Sequence, residues 1–172
     1  MKTRDLVLTA MFIALGVILP QLFHVIPNGG ILFSPMHIPV LLCGLLLGPL
    51  PGLIAGIVTP ILSHLIFSMP PAPMLMGMIV ELAVYGLVAG LMMKALKNVD
   101  GILKVYIALI VAMLSGRIVA GLVNAFVLNA GNYSMQAWIS GYFIGGLPGI
   151  ITHLILIPII VVALQKANLI KD

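Results

Sequence analysis

The sequence predicts an all-α integral membrane protein, a single transmembrane domain over residues 1–172 with six helices crossing the bilayer. Three observations predict it. First, 62% of the residues are hydrophobic, only 7% are charged, and the mean hydropathy is strongly positive. Soluble domains run near about 25% charged, and a chain this small has too much surface per volume to hide so much apolar side chain. Second, the apolar residues fall in continuous runs long enough to cross about 30 Å of hydrocarbon. They do not alternate, which sets aside a transmembrane β-barrel. Third, every lysine falls at one set of run ends.

The first span is expected over roughly 6–26. No small-residue cleavage pattern follows it, so it reads as a span and not as a removable signal. The second, roughly 37–48, is short, and its helix is open to an earlier start within 31–37. It meets the third, roughly 51–68, through the turn Gly48-Pro49-Leu50-Pro51-Gly52. The fourth covers roughly 74–95, the fifth roughly 103–129 and the sixth roughly 138–166. Lys2 and Arg4 precede the first span, Lys94, Lys97 and Lys104 flank the loop after the fourth, and Lys166 and Lys171 follow the sixth. The stretches around 27–36, 69–73 and 130–137 hold no charged residue. The positive-inside rule therefore puts both termini and the 96–103 loop in the cytoplasm. The basic balance has this topological cause; no basic cluster points to nucleic acid. Gly and Pro make Asn28-Gly29-Gly30 and Met69-Pro70-Pro71-Ala72-Pro73 turns, either plain connections or lids over an outward-facing pocket.

Two charges lie inside apolar runs. Glu81 is roughly 10 Å in from the outer end of the fourth span, at about 1.5 Å per residue. Arg117 is roughly 21 Å up from the inner end of the fifth. The two arrive at similar depth on consecutive antiparallel helices. A lone charge there costs at least about 2.5–3.5 kcal/mol, and a pair shares that cost. Glu81 and Arg117 are thus expected to pair, either as a fixed lock or in contact with a substrate. Tyr85 is one turn from Glu81, and Asn124 and Asn129 lie outward of Arg117. With Tyr133, Trp138 and Tyr142 they form an expected polar and aromatic rim, suited to an organic ligand with rings and hydrogen-bonding groups. His24, His37 and His64 fall near the outer face and His153 deeper. None are at i, i+4 spacing and no carboxylate or thiol is near them in sequence, so His37 and His64 are expected to line a pocket and no metal is expected. No cofactor is implied. The single cysteine, Cys43, excludes a disulfide within the chain. Motifs of zinc proteases, serine hydrolases and P-loop ATPases are absent. The residues alone support a membrane protein with a site for an organic ligand, in which any pumping borrows energy from a partner. A structural or assembly subunit, and an intramembrane enzyme using Glu81 and a histidine, are the alternatives.

Small residues recur at four-residue spacing, which lets helices approach closely in lipid. In the first span they are Ala10 and Ala14, near the cytoplasmic end where a partner helix can dock. The segment TRDLVLTAMFIALGVILP, with this AxxxA, resembles the first span of the substrate-binding S components of energy-coupling factor (ECF) transporters. PMHIPVLLCGLLLGPLPGLIAG with its following Pro-rich loop resembles their second and third spans, and ELAVYGLVAGL and SGRIVAGLVNAF their fourth and fifth. The resemblance covers nearly the whole chain. It implies an S-component-like bundle in the bacterial cytoplasmic membrane and high-affinity binding of a vitamin at the outer side. It also implies docking, through Ala10 and Ala14, on a transmembrane coupling protein that carries two ATPases of the ABC type. Nickel and cobalt S components use a histidine right after the initiator Met, where this chain has Lys2. Among substrates the similarity favours vitamin B12 (cobalamin) or a benzimidazole-type precursor, with pantothenate, folate, riboflavin and pyridoxine open.

Overall fold

The structure is a computed structural model that describes residues 2–23, 29–99, 101–128 and 134–167. His24, Asn129 and Tyr133 lie outside the described residues. Among the described residues eight α-helices follow one another: α1 Thr3–Leu22, α2 Gly29–Phe33, α3 His37–Leu47, α4 Pro49–Phe67, α5 Ala72–Ala95, α6 Ile102–Val123, α7 Met135–Trp138 and α8 Leu147–Lys166. π-helical turns Asn124–Leu128 and Ile139–Ile144 extend α6 and join α7 towards α8. The described residues hold no strand.

Among the described residues five helical stretches are long and apolar enough to cross a membrane, and α3 is a shorter apolar helix. At about 1.5 Å per residue its 11 residues rise only about half a bilayer core. The second span is therefore broken: α2 leads in from residue 29, a turn at Pro35–Met36 intervenes, and α3 follows. The expected earlier start is present, but as a separate short helix. The loop between α3 and α4 shrinks to Gly48, whose φ of 104° lies where only glycine is comfortable. α4 then starts at Pro49, two residues ahead of expectation, because prolines are tolerated in a first turn whose N–H groups lack helical partners.

α5 lies in the middle, packed on α3, α4 and α6. α1 lies against α3 and α4, and α8 against α2, α3 and α6. The α4–α5 approach is at backbone distance. A Cβ on Gly52 would overlap Gly86, and a Cβ on Gly56 would overlap the Leu82 carbonyl. Leu41, Leu82, Leu109 and Ile157 are fully buried. Meanwhile Leu65, Leu22, Met11 and Ile110 point outward, as side chains facing lipid do. The C-terminal end of α4 closes at Ser68, whose N–H donates to the His64 carbonyl at 2.8 Å.

Candidate functional site

The buried charges meet at the centre of α5. Glu81 and Tyr85, one turn apart, face α6. The Tyr85 hydroxyl donates to Glu81 Oε1 at 2.9 Å and accepts from Arg117 Nε at 2.9 Å. Arg117 Nε lies 3.8 Å from that same carboxylate oxygen. The expected pair is thus present, with a tyrosine hydroxyl set between its members. Space for the ring comes from Gly116, where a Cβ would overlap Tyr85. All three residues are buried, so these hydrogen bonds act in a medium that strengthens them.

Around Arg117 the end of the sixth span folds inward. The guanidinium also donates to the Tyr142 carbonyl and stands 5.7 Å from the Phe143 ring centroid. Both residues sit in the π-helical turn, a kind of distortion often found at functional sites. Trp138 donates from Nε1 to the Arg117 carbonyl at 3.2 Å and meets Phe143 edge-on at 5.3 Å. Asn124 Nδ2 donates to the Tyr142 hydroxyl at 3.1 Å and to the Ala120 carbonyl at 2.9 Å. Gly77 leaves room for this contact, since a Cβ there would stand 2.9 Å from Asn124 Nδ2.

On the other side of Tyr85 are two histidines. His37, at the start of α3, meets the Tyr85 ring edge-on at 5.5 Å and stacks on His153 at 5.7 Å. Its Nε2 is 3.9 Å from Glu81 Oε2, within electrostatic reach but too long for a hydrogen bond. His153, on α8, donates from Nε2 to the Ser34 carbonyl at 3.2 Å. The Nδ1 atoms of both rings are buried and have no hydrogen-bond partner among the described residues.

Of the expected site residues, the structure brings Glu81, Tyr85, Arg117, Asn124, Tyr142, Trp138 and His37 into one continuous network. His64 lies elsewhere: its Nδ1 donates to the Pro70 carbonyl at 2.7 Å and ties the end of α4 to the following loop. Ala10 and Ala14 are exposed on α1 and line an apolar groove of about 500 Å³ shared with Val58, Leu62 and Ile66 of α4. His153 and Phe143 join the network without having been picked out as site residues. A histidine in the apolar run of α8 was the one available signal. Among the described residues no three His, Cys, Asp or Glu side chains gather as a metal-holding group.

The family model for the ECF transporter substrate-specific component matches residues 4–166. The chain belongs to that family. No curated protein and no solved structure matches it. Membership makes this S component a multi-pass membrane subunit of a transporter and implies association with the coupling component and its ATPases. The all-helical bundle agrees with that assignment.

Proposed function

We propose that this S component captures a small vitamin-like molecule from the outer side of the membrane and that the network around Tyr85 is its binding site. Glu81, Tyr85, Arg117, Asn124, Tyr142, Trp138 and His37 form the wall, with Asn129 and Tyr133 assigned to the same rim and His64 to the loop beside it. Ala10 and Ala14 dock on the coupling protein, and the ATPases supply the energy that this chain has no motif to obtain.

One observation carries the reading. The Glu81–Tyr85–Arg117 chain is internally satisfied and on its own suits a fixed lock between α5 and α6. The adjoining imidazoles are not satisfied: both Nδ1 atoms are buried without a partner. Buried polar atoms are nearly always paired in native proteins. A bound molecule supplies what the lock does not need. Because Glu81 and Arg117 balance each other, a neutral or weakly basic ring system suits the site better than an anion. That favours a benzimidazole-type precursor or cobalamin, then pyridoxine and riboflavin, over pantothenate and folate.

Native mass spectrometry of the full chain, purified from cells grown in rich medium, tests the proposal. The expected result is a stoichiometric aromatic small molecule, released on unfolding and lost from Arg117→Ala. A chain that carries no ligand and binds none of these vitamins in calorimetry would mark a structural subunit instead.

A further inference from the structure

His153 Nε2 lies 3.2 Å from the Ser34 carbonyl oxygen. A carbonyl only accepts, so Nε2 carries the proton, and in the neutral ring Nδ1 is a bare lone pair. His37 reaches the same state by another route. Its Nε2 faces Glu81 Oε2 at 3.9 Å, and a carboxylate attracts an N–H and repels a lone pair. Arg117 already balances Glu81, so a neutral His37 leaves the cluster without net charge inside lipid. Its Nδ1 is then a lone pair as well. The rings stack at 5.7 Å and the residues are 6% and 1% exposed. Neither lone pair has a donor among the described residues. Hydrocarbon offers them none.

We propose that His37 and His153 are the donor-reading end of the substrate site: the Nδ1 acceptors of two stacked rings, which take N–H or O–H groups of the transported molecule. This rests on the reading of the chain as a substrate-binding subunit and narrows its substrate class. The molecule presents at least one ring N–H, amine, amide or hydroxyl donor to the histidine side of Tyr85. A carboxylate does not serve there, since it would set a third acceptor against two. The ring nitrogens are buried in this structure, with the Ser34 carbonyl against His153 Nε2, so the substrate reaches them as the packing around the two rings opens.

Two measurements on the full chain in lipid nanodiscs test this. In the first, histidine nitrogens labelled with 15N are read by NMR without ligand and assigned with His37→Asn and His153→Asn. Both rings are expected to carry hydrogen on Nε2 and none on Nδ1. A proton on Nδ1 of either ring, or a doubly protonated ring, overturns the proposal. Tight uptake of Zn2+ at these nitrogens also overturns it. In the second, 5,6-dimethylbenzimidazole, pyridoxine, riboflavin and pantothenate are titrated while Trp138 fluorescence is followed. Each probe that binds is then compared with its N-methyl or O-methyl analogue. Blocking the donor is expected to weaken binding about 10- to 100-fold. His37→Asn places Oδ1 near the lost Nδ1 and retains that discrimination; His37→Leu brings parent and analogue within about 3-fold of each other. Equal affinity of parent and analogue for the unaltered chain overturns the proposal. Failure of these four probes, of cobalamin and of folate to bind, with both tautomers as expected, counts against the substrate-binding reading on which the proposal rests; binding that ignores the blocked donor counts against the proposal alone.

Discussion

Tyr85 decides how two opposite charges live inside a bundle this apolar. Its hydroxyl spends its proton on Glu81 and its lone pair on Arg117, so both ions are solvated by one neutral group. Tyr85→Phe removes two charge-assisted hydrogen bonds and is expected to destabilise the chain by about 2–3 kcal/mol, read as a lower unfolding temperature in detergent. An unchanged temperature would mean that the ions close their 3.8 Å gap directly. Arg117→Ala leaves the buried Glu81 carboxylate without its guanidinium partner, and breaking such a pair costs about 3–5 kcal/mol. The double change Glu81→Gln with Arg117→Ala is expected to be more stable than Arg117→Ala, because it strands no charge. If the double variant is the less stable of the two, the charges are not coupled. The level of Glu81 with Arg117 was legible in the sequence because α5 and α6 are regular from their ends to these residues, so residue counting measures depth. The tyrosine between them was visible only as a neighbour on the helix. His153 was not legible as a member. Its place depends on the π-helical turn and the break at Gly145–Gly146, through which helical periodicity cannot be counted.

At the scale of elements, α5 holds the site because α4 presses it into place. Gly52 and Gly86 meet backbone to backbone, and a Cβ on either would overlap the other helix. Overpacking of this kind costs about 1–3 kcal/mol. Gly52→Ala and Gly86→Ala are each expected to lower the unfolding temperature and to loosen α5 against α6. Gly141→Ala serves as the control, since a Cβ there meets nothing within 4 Å. Equal behaviour of the three variants in a thermal melt would remove the α4–α5 contact as the brace of the site. The long spans were readable because twenty apolar residues in water have few alternatives to a membrane helix. The second span was harder for a physical reason. A run of 11 helical residues with Pro39 inside and Pro35 ahead cannot be given a start from hydropathy, which stays high through residues 31–47 whether the backbone is helical or turned.

For the whole molecule, the question is whether binding and docking use separate surfaces. The network draws its side chains from α3, α5, α6 and its π-helical extension, α7, the π-helical turn before α8, and α8. α1 gives it none. α1 packs on α3 and α4 and leaves Ala10 and Ala14 exposed along a groove whose walls are purely apolar side chains. Small residues on such a face let a second helix come within backbone distance, where van der Waals contact drives association in lipid. Larger side chains there would hold that helix away without touching Tyr85 or the histidines. Ala10→Leu with Ala14→Leu is therefore expected to abolish uptake in cells that supply the coupling protein and ATPases. The purified variant should keep its ligand affinity within about 3-fold, as sites without shared partners do. Co-purification with the coupling protein reads the docking step directly and should fall with uptake. Loss of ligand affinity to the same degree as uptake would show instead that α1 shapes the binding site through α3. Retained uptake would move the docking face to another side of the bundle.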